Sequence, residues 1–526
     1  MIGGVVLTDE DTSISEQRDT FYSGENVLSF VRKPLNLLSI ALFVVIYVYM
    51  VRYIYFNGQL MVDDAYIHMR IAKHFSMYGV PYYNIDQAVA GSSSVLWLVL
   101  LSVAFRIFGT TSFVALAITL VCMLIVFAIT TGLLARIYHP IVAVTLASVL
   151  LVLHLLSVAA ELMETPLAIC FWLASYLCAQ RKQWLRAGLL AGLAFATRYE
   201  FVLWLALLFC APSLWRERWR LSAGIIAPCL AVALFNMWFF GTLLPNTVRA
   251  KSMIYTLTLE QSLKTADMFL DLPMIIAILI INVLLAYVLF FRFKQSLAAL
   301  GLLFGTMLFG LYLARHSYIF SWYVPLFMFT MLFCYFWIAS LHNRWIRLTV
   351  ATLSLFLSFL PTVIAVHEAQ GVLSNQPQTY QDYIMGLRVQ QYIRVAQSLA
   401  ERYPHATLMA PEIGGIGWGF DGQIIDAVGL VSPEVLRYHP MPFPEQRAHG
   451  GLGAIPPQAV SDLKPDLIVT LDLFSQALQK AIADGQLPDY LLQESYPAIT
   501  SNDPADLQRS DDTGLGMIRV FVRRDL

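Results

Sequence analysis

Eleven apolar runs, each long enough to cross roughly 30 Å of hydrocarbon, fill most of the first 366 residues. They lie near 36–56, 93–109, 111–135, 140–158, 162–179, 187–214, 220–240, 272–291, 296–314, 318–340 and 345–366. A chain of this kind must satisfy its backbone polar groups inside lipid, and helices do that within a single segment. Composition agrees, since 58% of the 526 residues are hydrophobic and only 13% are charged, unlike a soluble protein of this length. The first run does not read as a cleavable signal: a polar stretch containing Arg32 and Lys33 precedes it, and no small-residue cleavage site follows. It is expected to remain as an anchor.

Basic residues collect in particular loops: Arg32 and Lys33, then Arg181, Lys182 and Arg186, then Arg216, Arg218 and Arg220, then Arg292 and Lys294, then Arg344 and Arg347. The positive-inside rule puts these in the cytoplasm, so the loop 57–92, the segment 241–270 and the tail after 366 are expected outside. Alternation fails once, because the clusters at 181–186 and 216–220 flank one long apolar run yet share a side. That run holds Thr197-Arg198-Tyr199-Glu200 at its centre, so the expectation is a pair of half-helices turning at Arg198. A compensating irregularity must then lie between 110 and 165, at a place the sequence does not mark.

Charge divides the chain in two. Residues 1–366 carry 23 Lys and Arg against 16 Asp and Glu, while residues 367–526 carry 11 against 19. The expected organisation is a cytoplasmic N-terminal segment at 1–35, a transmembrane domain at 36–366 with an outer first loop at 57–92, and an extracytoplasmic α/β domain at 367–526. Within the last, a helical stretch from Tyr380 to Arg402 precedes strand-like ATLMA (406–410), QIIDAV (423–428), DLIVTL (466–471) and MIRVFV (517–522). All six cysteines fall in apolar runs, so no disulfide framework is indicated. There is no CxxC, HExxH, Walker loop or Rossmann glycine signature, which argues against a nucleotide-driven pump.

The chemistry-bearing feature is an adjacent acid pair, Asp63 and Asp64, at the head of DDAYIHMRIAKHFSMYGVPYYN. Ile67, Ile71 and Phe75 recur every four residues after it, the pattern of a helix lying in the membrane interface. A carboxylate there can take a proton from a substrate hydroxyl, although a helix N-cap and an acid near a helix N-terminus explain either residue equally well. Between 93 and 366 the chain has seven acids, Glu161, Glu164, Glu200, Glu217, Glu260, Asp267 and Asp271. Arg198 and Glu200 in one apolar run therefore need a reason, either an intramembrane ion pair or a guanidinium receiving a lipid phosphate. Arg249 and Lys251, in FFGTLLPNTVRAKS (239–252), add cations on the side of the acid pair.

These residues carry a family resemblance. DDAYIHMRIAKHFSMYGVPYYNIDQAVAGSSSVLW resembles the first-loop signature of bacterial GT-C glycosyltransferases similar to the mycobacterial terminal arabinofuranosyltransferase. METP (163–166), ATRYE (196–200), GTLLPNTVRAK (241–251) and PEIGGIGWGFDGQIIDAVGL (411–430) follow in the family's order. The chain departs from that pattern at His68, where a small or hydroxyl residue is more usual, and at Tyr199, where proline is frequent. The resemblance implies a polytopic α-helical plasma (inner) membrane protein of GT-C type, with about 11 or more transmembrane helices and a C-terminal soluble α/β ectodomain.

It also implies a sugar donor linked to polyprenyl phosphate and a cell-envelope glycan or glycolipid acceptor, with inverting transfer on the outer face of the membrane. Asp63 is then expected as the base. Asp64 would orient it, bind an acceptor hydroxyl or help hold a divalent metal ion, no other cofactor being indicated. Arg198, Arg249 and Lys251 are expected on the donor phosphate. Arg70, Glu164, Glu200, Asn246 and His316 are expected on the sugar or acceptor, and Glu412, Trp418 and Asp426 on the acceptor from the ectodomain. A secondary transporter or lipid-linked glycan flippase would also use intramembrane charge and broken helices, and a non-catalytic glycan-binding factor would not need Asp63.

Overall fold

The computed structural model describes residues 34–58, 61–212, 216–254, 257–265, 272–341, 343–374, 383–439, 441, 454–501 and 516–526. Most of the 1–35 segment, with Arg32 and Lys33, lies outside the described residues, as do Asp267 and Asp271. The helical part runs α1 (Pro34–Asn57), α2 (Asp63–Tyr78), α3 (Val95–Phe108), α4 (Ser112–Leu134), α5 (Pro140–His154), α6 (Thr165–Gln180), α7 (Trp184–Thr197), α8 (Val202–Leu208), α9 (Arg218–Phe240) and α10 (Asn246–Ile254). It continues with α11 (Leu272–Phe291), α12 (Ser296–Ala314), α13 (Val324–Ile338) and α14 (Arg344–Leu373). Among the described residues, seven helices are long and apolar enough to cross a membrane, and several shorter apolar helices pack among them. The protein is a multi-pass membrane protein whose last membrane-length helix, α14, continues beyond 366 to Leu373.

Side-chain contacts give the helix directions. Phe43 stacks on Phe127 with ring centroids 4.0 Å apart, and the Tyr47 hydroxyl donates to Leu120 O. Leu116 lies against Gly58, just past the end of α1. Position falls along α4 as it rises along α1, so the two are antiparallel and α4 starts at the end where the acid pair sits. The other end of α3 meets that same face, because Val95 packs with Ala196 and Val232 beside the break at Arg198. The run 93–109 therefore does not cross: α3 starts and finishes on one side, with Val103, Ile107 and Phe108 exposed. This is the irregularity that restores the alternation, and it lies just ahead of the stretch where the sequence called for one.

The break at Arg198 takes the expected form. Residue 198 is extended (φ −149°, ψ 122°) between α7 and a single turn of 3-10 helix that leads into α8. Gly188 faces the backbone of Leu221 and Ile225, Gly192 faces Pro228 and Ile225, and Gly224 faces Leu185 and Leu189. Numbers rise together on both helices, so α7 and α9 run parallel and the chain between Arg198 and Glu217 must return to its starting side. Glycine is needed here because a Cβ at 188 or 224 would enter the opposite backbone and one at 192 the Pro228 ring. Arg136 reaches Gln180, and the Tyr138 hydroxyl donates to Phe336 O, so the basic turns near 136, 181, 216 and 344 share the end opposite the acid pair.

The C-terminal domain holds α15 (Tyr383–Arg402), α16 (Gly414–Gly419) and α17 (Asp472–Ala483) with five strands. The strands are β1 (Leu408–Ala410), β2 (Ile424–Asp426), β3 (Leu467–Leu471), β4 (Tyr490–Pro497) and β5 (Met517–Arg523), in the order β2-β1-β3-β5-β4. β1 pairs parallel with β2 and β3, while β5 pairs antiparallel with β3 and β4. Alternate residues face opposite ways. Leu408, Ala410, Leu467, Val469 and Val520 join the core that runs into the helical bundle, whereas Met409, Ile425, Ile468 and Phe521 form a second core on the other face.

Candidate functional site

The helix α2 places the acid pair at the seam between bundle and ectodomain. Both acids lie in its first turn, where negative charge suits the exposed N–H groups of a helix start. The helix ends at Gly79, whose left-handed backbone (φ 73°) returns an N–H to Phe75 O. Most of α2 is buried, wedged between the helical bundle and the C-terminal domain.

Successive residues on a helix diverge by about 100°, and the two carboxylates meet different neighbours. Asp63 turns to the ectodomain: one oxygen accepts from Gly414 N and the other from Gly415 N, both at 2.8 Å. Burial, with Glu412 nearby, pushes its carboxyl up to about 7, against the two backbone N–H groups and Arg388. Gly414 is obligatory in this contact, since a Cβ there would run into the Asp63 backbone. Asp64 turns to the bundle, with Lys251 Nζ 4.0 Å from its carboxylate. Its side chain is 28% accessible.

Behind Lys251 stands a polar wall. Lys251 bonds to the Tyr323 hydroxyl at 3.2 Å and lies over the Phe320 ring. Burial works against its ammonium, but Tyr323 and Asp64 outweigh it and keep it charged. Arg198 lies over the face of Tyr323, bonds Glu164 at 2.8 Å through one arm and bonds Glu200 at 2.9 Å through the other. Glu200 also accepts from the Tyr312 hydroxyl, and Tyr312 stacks on Tyr323. His68, four residues after Asp64 and so on its face of α2, has Nδ1 3.1 Å from Ser92 Oγ and Nε2 3.9 Å from Glu164.

Several residues expected at the site have other partners. Arg70 is 2% exposed; its guanidinium donates to Tyr83 O at 3.0 Å, Phe420 O at 2.5 Å and Gly422 O at 2.9 Å, and to Gly417 O. That corrects the sugar contact expected of it, for Arg70 ties the first loop to the ectodomain. Asn246 donates to Gly429 O and Leu430 O, a second tie of the same sort. Asp426 is fully buried and accepts from Val428, Leu430 and Val431 N–H groups, which leaves it no face for an acceptor. Glu412 is held by Arg388 and Tyr392 beside Asp63, and Trp418 packs on Tyr66. Arg249 and His316 are exposed; Arg249 is two positions from Lys251 and so about 200° away around α10, and His316 occupies a turn at φ 50°.

Sequence reasoning missed Tyr312, Tyr323, Ser92, Arg388, Tyr83 and Asn84. The Asn84 amide pairs both ways with the Ile424 backbone, and the Tyr83 hydroxyl donates to Ile413 O. The only local signal was the Asp64–His68 spacing. Among the described residues no group of three His, Cys, Asp or Glu side chains is placed to hold a metal ion, and an ammonium faces Asp64 where a second ligand would be needed. The described residues around Asp64 do not fit a divalent metal.

Residues 379–513 match a family described as a domain of unknown function, DUF8728. No curated protein matches the chain. The chain is similar to ArnT from Cupriavidus metallidurans in a crystal structure with undecaprenyl phosphate bound, at 11% identity and a TM-score of 0.45, over 92% of this chain and 97% of that one.

Proposed function

We propose that the protein is a membrane glycosyltransferase that moves a sugar from a polyprenyl-phosphate carrier to a cell-envelope glycan or glycolipid on the outer face of the plasma membrane, with inversion. The observation that carries this reading is the open carboxylate of Asp64 set 4.0 Å from the Lys251 ammonium, at the seam of bundle and ectodomain. The first-loop resemblance to arabinofuranosyltransferases points the same way. As the acceptor oxygen attacks the anomeric carbon, Asp64 takes its proton. The bond from that carbon to the carrier phosphate breaks, and Lys251 holds the charge that grows on the leaving oxygen. A phosphate is already stable as an anion, so no strong acid is required.

This reading moves the base from Asp63 to Asp64. Asp63 has both oxygens on backbone N–H groups and faces the ectodomain, which makes it a positioning residue for its neighbour. Arg198, engaged by two carboxylates, fixes Glu164 and Glu200 and leaves the phosphate to Lys251. Arg249, on the exposed side of α10, suits a lipid headgroup next to the carrier.

One observation favours a second reading: a guanidinium between two carboxylates at a broken helix also suits a carrier of lipid-linked glycans. Full-length protein in liposomes, given labelled polyprenyl-phosphate sugars and an oligosaccharide acceptor, separates the two. Label covalently joined to the acceptor is the expected result. Label that changes leaflet with no new glycosidic bond overturns the transferase reading in favour of the carrier.

A further inference from the structure

Resting on the transferase reading, we propose that one sugar hydroxyl is received between Nε2 of His68 and Oε2 of Glu164, and that this pair selects the sugar. Glu164 is 2% exposed and His68 7%. Glu164 gives Oε1 to Arg198, while Oε2 is buried without a hydrogen-bond partner. The imidazole is 3.9 Å from it, beyond hydrogen-bond reach. A buried carboxylate oxygen left in that state is costly, so a group that donates to it is the expected occupant of the gap.

The imidazole is arranged to complete the site. The Ser92 hydroxyl, which accepts from Ser94 N at 3.2 Å, has two acceptors for its own proton, Nδ1 of His68 at 3.1 Å and Ser94 O at 3.4 Å; given to the nearer, it leaves the ring proton on Nε2. Burial holds the imidazole below its usual value, in spite of Glu164 and Asp64, and so keeps it neutral. A donor N–H and an acceptor oxygen 3.9 Å apart admit one hydroxyl about 2.8 Å from each, accepting from the first and donating to the second. A phosphate does not suit this gap, because the Glu164 carboxylate repels it, and an apolar group would leave both polar atoms unsatisfied. Asp64 lies one turn before His68 on the same face, so the hydroxyl belongs to a sugar at the reacting end.

The hydroxyl can come from the donor sugar or from the acceptor, and the test has an arm for each. Transfer by the full-length protein is measured with polyprenyl-phosphate sugars each lacking one hydroxyl, and separately with acceptors each lacking one. Wild type, His68→Phe and His68→Gln are compared. In the wild type one deoxy compound is expected to lose roughly 10–100-fold in kcat/KM, the scale of a hydrogen bond to a charged group. His68→Phe should lower the parent compound by a similar factor, leave that deoxy compound nearly unchanged and so erase the discrimination. His68→Gln, which keeps an N–H near the position of Nε2, should restore part of it. The panel in which the discrimination appears identifies the source.

A common fall for the parent and every deoxy compound in His68→Phe, with no rescue by Gln, overturns the pair and makes His68 a packing residue. Unaltered discrimination in a folded His68→Phe overturns it as well, leaving a resident water in the gap. No transfer by the wild type from any donor overturns the transferase reading itself, a result distinct from both.

Discussion

Asp63 and Asp64 are neighbours in the chain with different surroundings, and their separation explains more of the site than their adjacency does. Asp63 docks the ectodomain, and its protonation should be readable in that docking. Its carboxyl stands at about 7 in the fold against an ordinary 3.8, so the folded state holds the proton more tightly. The stabilisation this gives is full below about 4 and is lost as the pH rises through about 7. Protection of the Gly414 and Gly415 amides, relative to the general rise of amide exchange with pH, should therefore fall across that window, and in Asp63→Ala it should stay level. Arg198 makes a second residue-scale prediction. Arg198→Ala leaves Glu164 and Glu200 without their cation, and should cost on the order of 3–5 kcal/mol. Arg198→Lys should recover only part of it, because one ammonium cannot serve two arms. Thermal unfolding in detergent measures both, and an Ala variant as stable as the wild type would remove the ion triad from the stability of the bundle. At this scale the acid pair was legible as a pair. Its division of labour was not, since the deciding partners, Gly414, Gly415 and Lys251, come from the far ectodomain and a distant helix.

At the scale of elements, the break at Arg198 could be read from the sequence, because two basic clusters flank one apolar run and cannot both be cytoplasmic unless that run returns. The non-spanning α3 could not, for VLWLVLLSVAFRIF is as apolar as a true span and only the contacts at its two ends show that it stays on one side. The strand β4 was missed for another reason. Its YLLQESYP lies at the sheet edge with mostly exposed side chains, and no run of buried residues marks it. The parallel packing of α7 on α9 makes a direct prediction. Gly188→Val pushes a branched side chain into the Leu221 backbone and should destabilise the protein by about 1–3 kcal/mol or more, seen as a lower thermal midpoint. Gly132→Val, at a glycine with open space around it, is the control and should change little.

For the whole molecule, the two irregular segments cancel, so the basic turns near 136, 181, 216 and 344 fall at one end and the acid pair at the other. Cysteines placed in a cysteine-free protein at 182 and 216 should be labelled from the same side of the membrane, and cysteines at 110 and 242 from the opposite side. A thiol at 182 labelled from the side of 110 would break the fold as described. The ectodomain is more than a tethered appendage: its sheet contributes one face to the core that runs through the bundle, and Arg70, Tyr83 and Asn84 fasten the first loop to it. Charge and hydropathy divide the chain near 366 in the sequence, while this shared core depends on pairings across more than three hundred residues that no local pattern records.

The claim at the centre is that Asp64 takes the acceptor proton while Asp63 positions it, and turnover of two single variants tests that most directly. Transfer is measured at saturating donor and acceptor for Asp64→Asn and Asp63→Asn, with donor binding followed in parallel. Asp64→Asn should bind donor lipid yet turn over at least about a hundredfold more slowly, the scale of a lost general base. Asp63→Asn should lose less turnover and show faster amide exchange at Gly414 and Gly415. Near-normal turnover in Asp64→Asn beside a folded, inactive Asp63→Asn would contradict the account.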